Sequence, residues 1–161
     1  MLVYKLPPQP TRLRIQAWRR LQALGAIYLQ DGVAALPSRP DLVENLRYIA
    51  DSMQKGGGTA ISLVASSGSD ADRLEIEQRF RAAADARMNE ILASLDKFAL
   101  SLDENFNAES VCKLDEALKR ERIGYLKVRR LNFFGSELEG LVEARLSELK
   151  ERIHAFGGTT K

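Results

Sequence analysis

The residues best suited to chemistry are two groups of cations. From Met1 to Gln30 the chain carries Lys5, Arg12, Arg14, Arg19 and Arg20 and no Asp or Glu; from Lys119 to Arg130 it carries Lys119, Arg120, Arg122, Lys127, Arg129 and Arg130 against Glu121 alone. Guanidinium and ammonium groups repeated along a helix suit phosphate binding, where each neutralised phosphate releases counterions and adds roughly 0.9 to the log-log salt slope. Arg12, Arg19, Arg20, Lys127, Arg129 and Arg130 are therefore the candidate nucleic-acid contacts. The competing reading is a solvated helix face, paired for the second group with Glu137, Glu139, Glu143, Glu148 and Glu151. Arg14 differs, because on a helical wheel it falls beside Leu21 and Trp18 near the apolar side. A charge there must snorkel, find an ion pair, or hold an oxyanion.

Other chemistry has few residues to work with. Cys112 is the only cysteine and His154 the only histidine, so neither an intrachain disulfide nor a metal cluster of nitrogen and sulfur ligands is available. Cys112 is expected to be buried and inert. His154, near the end of a helix, suits the helix dipole and has no Ser or Cys beside it to activate. Gly56, Gly57 and Gly58 follow a helix instead of opening one and lack the lysine of a phosphate loop. No catalytic residue, metal or cofactor is expected.

The elements that position these cations follow from periodicity. Leu2 to Leu6, closed by Pro7-Pro8, reads as a strand. Pro10-Thr11 opens a helix in which Leu13, Ala17, Trp18, Leu21 and Leu24 recur at helical spacing until Gly25; Trp18 is expected in the core. Ala26 to Leu29 and Val33 to Leu36 flank Asp31-Gly32, a hairpin turn in which both residues tolerate positive φ. A second helix carries Leu42, Leu46, Ile49, Ala50 and Met53 up to the three glycines, and Ala60 to Val64 is a fourth strand. The order strand, helix, strand, strand, helix, strand predicts a ferredoxin-like split βαβ domain over residues 1–66, with one sheet face left to be covered by other helices or a second copy.

Ser66 to Ser69 has linker composition, and residues 67–161 read as a helical domain of about three helices. The first, over 72–102, repeats Leu74, Phe80, Ala84, Met88, Ile91, Leu95, Phe98 and Leu102, and is followed by turn-like residues at 103–107. The second, over 108–132, has a glycine at 124 as a bend, with Phe133 and Phe134 expected in the core. Ser136-Glu137-Leu138-Glu139 is a capping-box sequence opening the third helix, whose apolar face is Leu138, Leu141, Val142, Leu149 and Ile153, with Gly157-Gly158 before a loose tail. With 161 residues, 45% hydrophobic and 29% charged, a net charge of +2 and no apolar run near 20 residues, a soluble, cytoplasmic protein is expected, with no membrane partner.

Tyr4-Lys5-Leu6-Pro7, Thr11-Arg12-Leu13-Arg14, Trp18-Arg19-Arg20-Leu21, Leu24 to Gln30, and Leu36-Pro37 resemble the N-terminal region of chromate-resistance B proteins. Arg130-Leu131-Asn132-Phe133-Phe134-Gly135 is similar to a segment of that family's helical part, with Asn132 where the family carries an acidic residue. The resemblance implies regulation of a chromate-efflux operon through DNA binding, with longer members carrying a further C-terminal region. The first domain also looks like the small CRISPR adaptation nucleases, which place an aspartate at the end of the first strand; Lys5-Leu6-Pro7 stands there in this chain. The expected protein is thus a non-enzymatic, DNA-binding regulator of α+β class, expected as a homodimer. Three readings stay open beside it: a homodimer or protein-interaction module using the same arginines, a metal-dependent nuclease, and chromate as an effector held by Arg14.

Overall fold

The computed structural model describes residues 1–9, 11–104 and 111–158. Pro10, residues 105–107 of the expected turn, residues 108–110 of the expected second helix and residues 159–161 lie outside the described residues. The protein is of mixed α+β class, with a four-stranded antiparallel sheet and five helices among the described residues. In chain order these are β1 (Leu2–Lys5), α1 (Thr11–Ala23), β2 (Ile27–Gln30), β3 (Val33–Ala35), α2 (Pro40–Lys55), β4 (Thr59–Ser62), α3 (Asp70–Glu104), α4 (Val111–Arg129) and α5 (Leu138–Gly158). Contacts divide the chain into two compact units, Met1–Arg79 and Phe80–Lys161, with the boundary inside α3.

In the first unit the strand order is β2-β3-β1-β4. Leu2 stands opposite Ala34 and Ser62, and Tyr4 opposite Ala60. Opposed residues share a sheet face, and Leu2, Ala34 and Ala60 are buried on this one, as are Ala17 and Leu21 of α1 and Leu42, Leu46, Ile49 and Met53 of α2. Each of the larger side chains contributes about 1.5–3 kcal/mol on leaving water. The alternate residues Val3 and Ile61 point the other way and are 38% and 61% exposed.

Glycines end both helices of this unit. Past α1, Gly25 takes φ 79°, its N–H donates to the Gln22 carbonyl at 3.0 Å, and the Ala26 N–H donates to the Leu21 carbonyl at 3.0 Å. Past α2, Gly57 does the same work, with Gly58 donating to the Met53 carbonyl at 2.9 Å. This paired pattern satisfies carbonyls that a helix end otherwise leaves orphaned. The Asp31-Gly32 turn forms, but only Gly32 enters the left-handed region (φ 75°), so the turn is not the mirror-image type with positive φ at both positions; the β2–β3 ladder carries an irregularity between Tyr28 and Gln30.

In the second unit Met88, Leu95, Ala99 and Leu102 of α3 meet Leu118 and Tyr125 of α4 and Val142, Leu149 and Ile153 of α5 in one core. Phe133 and Phe134, half-buried in the α4–α5 connection, set their rings 5.9 and 5.3 Å from Phe80. Arg81 donates to the Phe134 carbonyl at 3.1 Å, and the Ser136 hydroxyl donates to Asp85. Four expectations need correction. Ser136 accepts from the Leu138 N–H at 3.2 Å, yet Glu139 does not close the capping box, because Arg129 and Asn132 hold its carboxylate. Gly124 lies within an unbroken α4. Leu74 and Leu141 are exposed despite their helical spacing: Leu74 is in register with Met88 and Leu95 but lies in the first turns of α3, ahead of the residues that helix commits to the core, and Leu141 lies off the stripe that α5 buries. Cys112 is exposed near the start of α4, ahead of the first residue that helix commits to the core.

Candidate functional site

Arginines 12, 14, 19 and 20 leave α1 in three directions, because successive residues turn by about 100° around a helix. Ala17 and Leu21 mark the buried side. Arg12 and Arg19, seven apart, share the outer face; both are exposed, and neither has an ion-pair partner among the described residues. Arg20 turns towards α2, donates to the Ser52 hydroxyl at 3.2 Å and lies 5.5 Å from the centre of the Tyr48 ring. Arg14 and Trp18, one turn apart, border a groove of about 850 Å³.

That groove is assembled from three places in the chain. Tyr4, Lys5 and Leu6 come from the end of β1, Thr11, Arg14, Ile15 and Trp18 from α1, and Tyr28, Asp31 and Gly32 from the β2–β3 hairpin. Tyr4 donates its N–H to the Gly32 carbonyl at 2.7 Å, fastening the hairpin turn to β1. A side chain at position 32 would collide with the Tyr4 carbonyl, so glycine is required there by contact as well as by φ. The Tyr28 hydroxyl is closed off from solvent, and burial first, with the neighbouring Tyr4 phenol adding, raises it above the ordinary phenol range.

Trp18 overturns its expectation: it is 54% exposed, not in the core. Its helical spacing suited the apolar stripe, but it sits at the edge of that stripe, about 100° around α1 from Ala17, where the groove opens. Arg14 is exposed at the groove wall and makes no ion pair among the described residues. The sequence did not single out Tyr4, Tyr28 or Asp31 for this site, since none belongs to a charged or periodic pattern; only the hairpin turn hinted that Asp31 and Gly32 would be brought near β1.

The second cationic group splits in the same way. Arg129 is occupied, pairing with Glu139 at 2.7 Å and Glu143 at 3.3 Å. Lys127, two residues earlier, lies on nearly the opposite side of α4, and Arg130 is exposed just beyond its end. Lys119, Arg122 and Arg129, with Lys150 of α5, line a cleft of about 340 Å³ that also holds Asp115, Tyr125 and Glu143. Tyr125 donates to Glu143 at 2.8 Å; burial first and this carboxylate second raise its pKa. A hydrogen bond from Lys119 at 2.7 Å lowers Asp115, with the charges of Lys119, His154 and Lys150 adding to it. Lys127, Arg129 and Arg130 therefore do not form one surface.

Among the described residues no group of three or more His, Cys, Asp or Glu could hold a metal ion, and no helix is long and apolar enough to cross a membrane. Fold and site together define a small α+β protein whose first unit presents a basic groove bordered by an exposed tryptophan. The chain belongs to the family described as Protein ChrB, N-terminal, whose model matches residues 14–159. Protein ChrB of Cupriavidus metallidurans is 26% identical over 153 residues, which is 95% of this chain and 45% of that protein. The chain thus spans less than half the length of that relative. No solved structure matches it significantly.

Proposed function

We propose that the chain is a non-catalytic, cytoplasmic regulatory module that binds DNA through α1, in the context of chromate resistance. Membership of the ChrB N-terminal family supports the regulatory role. The observation that carries the DNA reading is the state of α1: Arg12, Arg14 and Arg19 are exposed without ion-pair partners among the described residues, on a stretch with no carboxylate before Asp31. Phosphates are the matching chemistry. The element order and the strand order β2-β3-β1-β4 support reading the first unit as ferredoxin-like. No cofactor enters this reading, and the metal-dependent nuclease has no support from the end of β1, where Lys5 stands in place of a carboxylate.

The test is binding to a labelled duplex from the region upstream of the gene, against a scrambled duplex, between about 50 and 300 mM salt. Three phosphate contacts give a log-log slope of about −2.7, or a loss of about 100-fold over that range. In an Arg12→Ala, Arg19→Ala double variant the slope falls to about −0.9, a loss of about five-fold. Absence of binding at the lowest salt overturns the reading. It would leave a homodimer or protein-interaction module, which the exposed apolar residues Val3, Ile61 and Val64 favour.

A further inference from the structure

We infer that the groove beside α1 holds an unpaired base, so that the nucleic acid recognised there is single-stranded or locally opened. This rests on the nucleic-acid reading and narrows it. The starting point is Trp18, more than half exposed on a helix that buries Ala17 and Leu21 on the adjoining stripe. An indole left in water beside a concave wall offers a flat apolar face. In a duplex both faces of a base are covered by its neighbours, and only base edges reach the grooves. A tryptophan can stack only on a base that has left the stack.

The surroundings of Trp18 match that ligand. Arg14 lies one turn away on the same wall, and Lys5 stands at the end of β1, so cations for the flanking phosphates border the aromatic surface. Arg12 and Arg19 continue the positive surface around the outer face of α1. Tyr4, Leu6 and Ile15 add apolar lining. Asp31 is the one carboxylate lining the groove among the described residues; at the hairpin turn it can accept from a base's exocyclic amine, a role phosphate cannot fill. A groove built only for phosphate would need neither the exposed indole nor this carboxylate.

Trp18 is the only tryptophan, so its emission reports on this groove alone. The full chain is titrated with an oligodeoxycytidylate of about 12 nucleotides, whose bases carry the exocyclic amine and whose length is within the range that a single-strand-binding domain covers. A duplex of equal length and inorganic polyphosphate are titrated in parallel at the same salt. The expected result is saturable quenching by the single strand, with weaker binding of the duplex and no quenching by polyphosphate. Anisotropy of a labelled oligomer shows Trp18→Ala weakening single-strand binding by roughly 5- to 150-fold, the range for loss of one base stack. Arg14→Gln weakens it and lowers the salt slope. Both side chains are exposed, so unchanged circular dichroism and thermal unfolding show that the variants fold. Equal quenching by polyphosphate, or a Trp18→Ala variant that binds the single strand as well as the parent, overturns the inference. Tighter binding to the duplex, indifferent to Trp18, overturns the inference while leaving the nucleic-acid reading intact; failure of both nucleic acids to bind removes both.

Discussion

Neighbouring arginines on α1 should fail in different ways when removed. Arg20 donates to Ser52 at 3.2 Å and lies 5.5 Å from the centre of the Tyr48 ring, whereas Arg19 faces solvent. An exposed hydrogen bond of this kind contributes about 0.5 kcal/mol, near the low end for such bonds. A cation over an exposed aromatic face contributes about 0.5–1 kcal/mol. Alanine recovers about 0.2 kcal/mol through its helix propensity. Arg20→Ala should therefore cost about 1 kcal/mol, equivalent to a fall in Tm of about 2–4 °C for a chain of this length. Arg19→Ala should stay within about 0.5 kcal/mol of the parent and should lower the salt slope of DNA binding by about 0.9. Thermal and urea unfolding followed by circular dichroism measure the first pair of values. A double-mutant cycle of Arg20→Ala with Tyr48→Ala should return a coupling of about 0.5–1 kcal/mol. An Arg20→Ala variant of unchanged stability that loses DNA affinity as Arg19→Ala does would refute the division of faces on α1.

Two glycines should respond in opposite directions. Gly32→Ala places a methyl against the Tyr4 carbonyl at positive φ and should cost more than about 1 kcal/mol, whereas Gly124→Ala meets only Ile91 at 3.7 Å inside α4 and should stabilise by about 0.5–1 kcal/mol; urea midpoints decide both. Tyr28 and Tyr125 both have folded pKa values above the ordinary phenol value. Their contribution is fully present below the unfolded pKa of about 10 and is lost as pH rises from there towards the folded values. Absorbance titration of tyrosinate should show that Tyr28→Phe and Tyr125→Phe each remove a late-ionising phenol and reduce the alkaline loss of stability. Removal of a phenol that ionises in the ordinary range would contradict the burial argument.

The local devices of this protein were legible in the sequence. The helices over 11–23 and 40–55 follow from apolar spacing and from glycines at their ends, and the hairpin from Asp31-Gly32 between two short apolar runs. Each rests on interactions within a few residues of the chain. The long helix over 70–104 was legible for the same reason. Leu74 was misread because periodicity identifies a stripe without saying how much of that stripe a neighbour will cover.

Tertiary structure decided what the side chains do. By itself the sequence determined the helical faces of Arg12, Arg14, Arg19 and Arg20 and the absence of any carboxylate before Asp31. Only the packing of α2 against α1 gave Arg20 its partners, only the fold left Trp18 in solvent at the groove, and only the fold of α5 onto α4 brought Glu139 and Glu143 to Arg129. The groove needs β1, α1 and the β2–β3 turn together, elements whose residues span positions 4 to 32 with no shared periodicity. Spacing along a chain sets direction around a helix axis; contact between elements sets which of those directions meets another side chain, and which meets water.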